Sequence, residues 1–83
     1  MNTNNDYQTR DIYLASVLQL SGLPILRIDN YDGKGVFSFR RSPKIEEVIN
    51  AYFSDELSMN PKSVFEAWKA IKARVYSTTG NFR

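Results

Sequence analysis

The chain contains no cysteine and no histidine among its 83 residues, and these two absences remove most site chemistry before any motif is sought. Without cysteine there is no disulfide framework, thiolate nucleophile, zinc–thiolate site or iron–sulfur cluster. Without histidine no imidazole base titrates near neutral pH, and the commonest transition-metal ligand is gone. No apolar run approaches the roughly 18 residues that a bilayer-spanning helix needs. The opening Met1-Asn2-Thr3-Asn4-Asn5-Asp6 lacks the basic and apolar regions of a signal peptide, so a cytoplasmic location is expected. Charge of one sign is also scarce: the net charge is only +2, a weak field over 83 residues. Neither a metal nor a cofactor is expected.

What remains is the composition of one small globular domain. A hydrophobic share of 42% with 24% charged residues argues against wholesale disorder. A chain this short buries only about 60% of its unfolded surface, enough for a fold with a thin stability margin.

Periodicity supplies the elements. Residues 1–8 carry three asparagines and no apolar pattern, and are expected to be a disordered tail. Thr9 is then a candidate N-cap, with Asp11 in the first turn of a helix. Tyr13, Leu14, Val17, Leu18, Leu20 and Ser21 share a broad arc of that helix, opposite Ile12, Ser16 and Gln19, which marks it as the central helix. Gly22 and Pro24 end it. The period then changes to two. Leu26 and Ile28 alternate with Arg27 and Asp29, and Phe37 and Phe39 alternate with Ser38 and Arg40. With Asp32-Gly33-Lys34-Gly35 as the turn, this is a β-hairpin. A strand follows the two glycines where a phosphate loop needs a helix, so the turn reading prevails.

Ser42-Pro43 and Asn60-Pro61 each place a capping side chain before a proline, starting two further helices. The first carries Ile45, Val48, Ile49, Tyr52 and Phe53 as its stripe. The second carries Val64, Phe65, Trp68, Ile71, Val75 and Tyr76. The predicted fold is α+β, a helix, a two-stranded antiparallel hairpin and two more helices (α-β-β-α-α), with the helices on one hairpin face. The domain spans residues 9–76, and 77–83 form a second disordered tail. Free hairpin edges would allow a homodimer.

From Thr9 to Tyr76 the sequence resembles a small family of uncharacterised single-domain proteins of bacteria, archaea and phages. The resemblance rests on Thr9-x-Asp11-x-Tyr13-Leu14-Ala15, Val36-Phe37-x-Phe39, Ala51-Tyr52-Phe53 and Phe65-x-x-Trp68-x-x-Ile71-Lys72. It implies a compact α/β unit often associated with mobile elements, and it transfers no catalytic residue.

Enzymatic readings are weak. Glu46 and Glu47 point in different directions from an exposed helix face, Asp55 and Glu56 fall in a connector, and Asp11 suits a first-turn role better than catalysis. No catalytic site is expected. The basic residues are more informative. Arg27, Lys34, Arg40, Arg41 and Lys44 lie within one stretch that holds only Asp29 and Asp32 as acids. Alternation puts Arg27, Ser38 and Arg40 on the hairpin face away from the core, with Tyr31 beside them. Cations interleaved with an aromatic on an exposed sheet face suit nucleic acid, single-stranded above all. The bland reading is a set of solvated strand residues in ion pairs worth little.

A second candidate surface lies on the last helix, where Lys72 falls between Trp68 and Tyr76. Its bland role is to lie over the rim of the core with its stem on Trp68. The sharper one makes Phe65, Trp68, Lys69, Lys72 and Tyr76 a partner-binding patch for another protein. The expected function is a small non-catalytic binding module. Nucleic-acid contact is the first reading, through Arg27, Tyr31, Lys34, Arg40, Arg41 and Lys44, with Lys69, Lys72 and Arg74 as an extension. A protein adaptor or inhibitor, phage- or mobile-element-encoded, is the alternative.

Overall fold

A computed structural model describes residues 6–32 and 34–79. In chain order the elements are β1 (Asp6–Thr9), α1 (Ile12–Leu20), β2 (Arg27–Tyr31), β3 (Lys34–Arg40), α2 (Pro43–Phe53) and α3 (Pro61–Thr79). The α+β class and the hairpin match the sequence reading. The sheet, however, has three antiparallel strands in the order β1-β3-β2, not two. Asp6–Gln8, expected in a tail, and Thr9, expected to start the domain, pair along the second edge of β3, with Tyr7 opposite Phe39 and Thr9 opposite Phe37. Tyr7 is the one apolar anchor in that short strand, and the open edge of β3 supplies the rest of its hydrogen bonding. One of the two hairpin edges expected to be free is therefore occupied by β1. Residues 1–5 of the expected first tail lie outside the described residues. At the other end α3 continues to Thr79 rather than ending at Tyr76, and 80–83 lie outside the described residues.

Register separates the two faces of the sheet. Ile28 lies opposite Phe37, while Arg27 lies opposite Ser38 and Asp29 opposite Val36. Phe37, Phe39 and Ile28 join Leu14, Leu18, Ile25, Ile45, Ile71 and Val75 in one core. Phe37 and Phe39 are each almost fully buried, and burial of such a side chain stabilises by about 1.5–3 kcal/mol. Gly35, read from sequence as a turn glycine, is a strand residue. It packs beneath α3, where a Cβ would sit in ordinary van der Waals contact with the Val75 methyls at 3.4 and 3.5 Å.

The central helix is α1, as expected, but it is buried more completely than its wheel suggested. Leu14, Ala15, Ser16, Val17 and Leu18 are all buried in sequence. Ser16, assigned to the outer side, instead donates its hydroxyl to the Ile12 carbonyl at 2.8 Å and needs no solvent. The N-cap is Asp11, not Thr9. The Asp11 Oδ1 atom accepts from the Tyr13 and Leu14 N–H groups at 3.0 and 3.2 Å. Thr9 belongs to β1, and its Oγ1 accepts from the Asp11 N–H at 3.0 Å, bracing the cap. Gly22, at φ +90°, closes α1 in a Schellman motif in which the Leu23 N–H reaches the Leu18 carbonyl at 3.0 Å. The caps of the other helices are those the sequence indicated. The Ser42 Oγ accepts from the Ile45 N–H at 3.2 Å, and the Asn60 Oδ1 accepts from the Lys62 N–H at 2.8 Å.

Candidate nucleic-acid interface

Two small residues at the centre of the outer sheet face are little exposed, and long neighbours roof one of them, Ser38. Ser38 and Val36 are 0% and 6% exposed, although neither faces the helices. The Gln8 Nε2 atom donates to the Ser38 Oγ at 3.2 Å from the β1 side. From the β2 side Arg27 extends across β3, its Nη1 lying 3.6 Å from the Asp6 Oδ2. Its Nε donates to the Asp29 Oδ2 at 3.0 Å. A larger residue at position 38 would lift this guanidinium off the sheet.

This bracing decides which of the sequence-nominated cations are available. Arg27 is half-exposed but shared between two carboxylates. Arg40 and Lys34, at opposite ends of β3, are exposed and have no ion-pair partner among the described residues. Tyr31 lies opposite Lys34 and is 54% exposed. Four of the six nominated residues therefore share the outer face. Arg41 and Lys44 do not. Arg41 faces the helix side, with its guanidinium 5.4 Å from the Tyr7 ring centroid and its Nη1 2.8 Å from the Glu46 Oε2. Lys44 sits exposed in the first turn of α2. One more step along the chain alternation carries residue 41 through the plane of the sheet.

Sequence reasoning missed three residues on this side. Gln8, Thr9 and Arg10 line a shallow pocket of about 320 Å³ together with Tyr31 and Val36. Arg10 is exposed and has no carboxylate within 4.0 Å among the described residues. The signal that could have found them was the open edge of β3, which asks for a third strand.

The patch on α3 is of a different kind. Phe65 and Tyr76 are 52% and 51% exposed, while Trp68 is half-buried. The Trp68 ring is nearly parallel to Tyr13 of α1 at 6.1 Å and stacked with Phe65 at 5.7 Å. Lys72 places its ammonium 4.5 Å from the Trp68 centroid, as its rim role requires, and Lys69 lies 5.1 Å from that of Phe65. Lys69 also approaches Glu66 at 3.9 Å. Tyr13 was not among the nominated patch residues, because its position in the apolar arc of α1 suggested burial. Arg74 is exposed two residues past Lys72, a turn of about 200° around the helix, and so leaves the patch. A groove of about 340 Å³ beside the patch is lined by Arg10, Ile12, Phe37, Trp68, Lys72, Val75 and Tyr76.

Elsewhere Tyr52 donates its hydroxyl to the Asp11 Oδ2 at 3.1 Å. Burial first, and then the Asp11 charge and this hydrogen bond, push the phenol above its ordinary pKa. The Asp11 carboxylate is thus engaged as a cap and a helix-to-helix tie. Among the described residues no group of three acidic side chains could hold a metal ion. Among them, too, no helix is long and apolar enough to cross a membrane.

No curated protein and no solved structure matches the chain. A family model does match, over residues 4–77, which takes in every described strand and nearly all of α3. The chain therefore belongs to the family described as Domain of unknown function (DUF5659).

Proposed function

We propose that this domain is a non-catalytic binding module that holds single-stranded nucleic acid on the outer face of its sheet. One observation carries the reading: the core lies on one side of the sheet, and the other side presents Tyr31, Lys34 and Arg40 to solvent. Between Lys34 and Arg40 the strand runs about 20 Å, so the exposed cations bracket a surface long enough for several nucleotides. Arg27 contributes its planar group as a roof over Ser38 rather than as a free charge, because Asp6 and Asp29 offset it. Affinity then comes from phosphate contacts at Arg10, Lys34 and Arg40, with stacking on Tyr31.

Three such contacts give a log–log salt slope near −2 on a single strand, so binding falls about 20-fold between 50 and 200 mM salt. Fluorescence anisotropy with labelled single- and double-stranded oligonucleotides at those two concentrations tests this. Binding of the single strand with that salt dependence, weakened in Arg40→Ala, is the expected result. No binding at 50 mM salt removes the proposal.

A second reading is supported by the half-exposed rings of Tyr13, Phe65 and Tyr76 on α1 and α3. Their arrangement suits a protein partner. Trp68 is flanked by the Tyr13 and Phe65 rings and by the Lys72 ammonium. An adaptor or inhibitor acting there would hold its partner by apolar burial, and its affinity would change little over the same salt range.

A further inference from the structure

We propose that the pocket at the turn end of the outer face seats one unstacked nucleobase of the bound strand. The inference rests on the reading of this face as a nucleic-acid surface and adds a defined subsite to it. All three strands contribute to the pocket. Gln8 and Thr9 come from β1, with Arg10 just beyond it, Tyr31 from β2 and Val36 from β3. Its volume of about 320 Å³ lies at the lower end of the range for small-molecule sites, roughly 300–1,000 Å³.

A base has two apolar faces, a polar edge and a phosphate one sugar away, and the pocket has a counterpart for each. Val36, nearly buried, is an apolar floor, and the half-exposed Tyr31 is an aromatic wall. Gln8 offers the polar edge. Its Nε2 is oriented by the Ser38 hydroxyl, and its carbonyl oxygen has no hydrogen-bond partner among the described residues. An amide held in this way presents an acceptor beside a remaining N–H, the pair with which glutamine reads a base edge. Arg10 supplies a cation at the rim for the adjoining phosphate, with no carboxylate within 4.0 Å among the described residues. Thr9 shapes the wall without competing for the ligand, because its Oγ1 already accepts from the Asp11 N–H. A free phosphate or carboxylate would use Arg10 but would have no use for the Val36 floor or the Tyr31 ring.

The test is anisotropy at 50 mM salt with an oligonucleotide of about 12 residues, in DNA and RNA versions, against an abasic backbone of the same length. Loss of base stacking should weaken binding of the abasic strand about 5- to 150-fold. Gln8→Ala and Tyr31→Ala should weaken the intact strand and leave the abasic one unchanged, whereas Arg10→Ala should weaken both. Gln8 and Tyr31 are exposed, so these variants keep the core intact. An amide-resolved NMR titration with adenosine monophosphate adds a second readout, with shifts expected at Gln8, Tyr31 and Val36. If intact and abasic strands bind equally, and Gln8→Ala and Tyr31→Ala change neither, the pocket is wrong and so is the Tyr31 stack, while the phosphate contacts proposed for the face still stand. If no oligonucleotide binds at all, that reading fails and the pocket goes with it.

Discussion

The two sides of β3 are both buried, but by different means. Phe37 and Phe39 are covered by helices and belong to the core, while on the other side Val36 and Ser38 are also little exposed and Ser38 lies beneath the Gln8 and Arg27 side chains of its own sheet. One side is closed by apolar packing that nothing can displace without unfolding. The other is closed by a hydrogen bond and exposed ion pairs, which contribute about 0–1 kcal/mol each and can rearrange around a ligand. A single seven-residue strand thus holds the fold together with one parity and leaves a surface free for contact with the other.

The largest expected effect breaks the first side. Phe39→Ala leaves a cavity at a fully buried position and should cost about 3–5 kcal/mol. That is a large part of the stability of a domain this size, which at about 0.05–0.15 kcal/mol per residue totals only about 4–12 kcal/mol. Ser38→Ala, one residue away and just as buried, should cost about 1 kcal/mol, since it removes one hydrogen bond and little volume. Urea denaturation followed by circular dichroism compares the two. Equal losses would mean that the two sides are not distinct in kind.

Tyr31→Ala tests the outer face from the opposite direction. It should leave the urea midpoint within about 0.5 kcal/mol, because the ring is 54% exposed. Loss of one base stack should nevertheless weaken single-strand binding by about 1–3 kcal/mol. Destabilisation without loss of affinity would reverse the assignment of this side.

Much of the inner side was legible in the sequence because alternation is a strong signal when both phases are long. Leu26, Ile28, Phe37 and Phe39 announce the hairpin, although Leu26 ends 43% exposed at its margin. The third strand was not legible. Asp6-Tyr7-Gln8-Thr9 holds one apolar residue, so its period cannot be measured, and its pairing is decided by a strand edge far along the chain, from Asp6 opposite Arg40 to Thr9 opposite Phe37. Two further differences follow from that one. With Thr9 committed to β1, the cap passes to Asp11, and with Asp6 placed on the sheet, Arg27 acquires a partner its local sequence does not contain. On α3 the sequence placed Lys72 correctly over Trp68, but the stacking partner Tyr13 comes from another helix and leaves no local trace.

A smaller effect separates the two arginines of the outer face. Arg27 shares its charge with Asp6 and Asp29, whereas Arg40 has no ion-pair partner among the described residues. Removing Arg40 should take away one phosphate contact and flatten the salt slope by about 0.7. Arg27→Ala should leave the slope almost unchanged, because it frees two carboxylates as it removes one cation. Binding curves at four or five salt concentrations distinguish the two, and identical slopes would show that the ion pairs open when the ligand arrives.

The smallest effect belongs to the inner side, at the tie between α2 and α1. Tyr52 donates to Asp11, and burial together with that carboxylate disfavours the phenolate, so the folded protein holds the phenolic proton more tightly than the unfolded chain does. A group with a raised folded pKa contributes stability that is complete below its unfolded value, about 10 for tyrosine, and is lost as pH climbs through the folded value. The tie should therefore be insensitive to pH from 7 to about 9 and should weaken only in alkali. Tyr52→Phe should cost about 0.5 kcal/mol at neutral pH, since the bond is exposed, and should fall less steeply above about pH 10 than the parent does. Urea midpoints of the two proteins measured across that range isolate this group from every other alkaline titration. If the two curves stay parallel, the phenol is not held by Asp11 in solution, and the link between α2 and the cap of α1 rests on apolar packing alone.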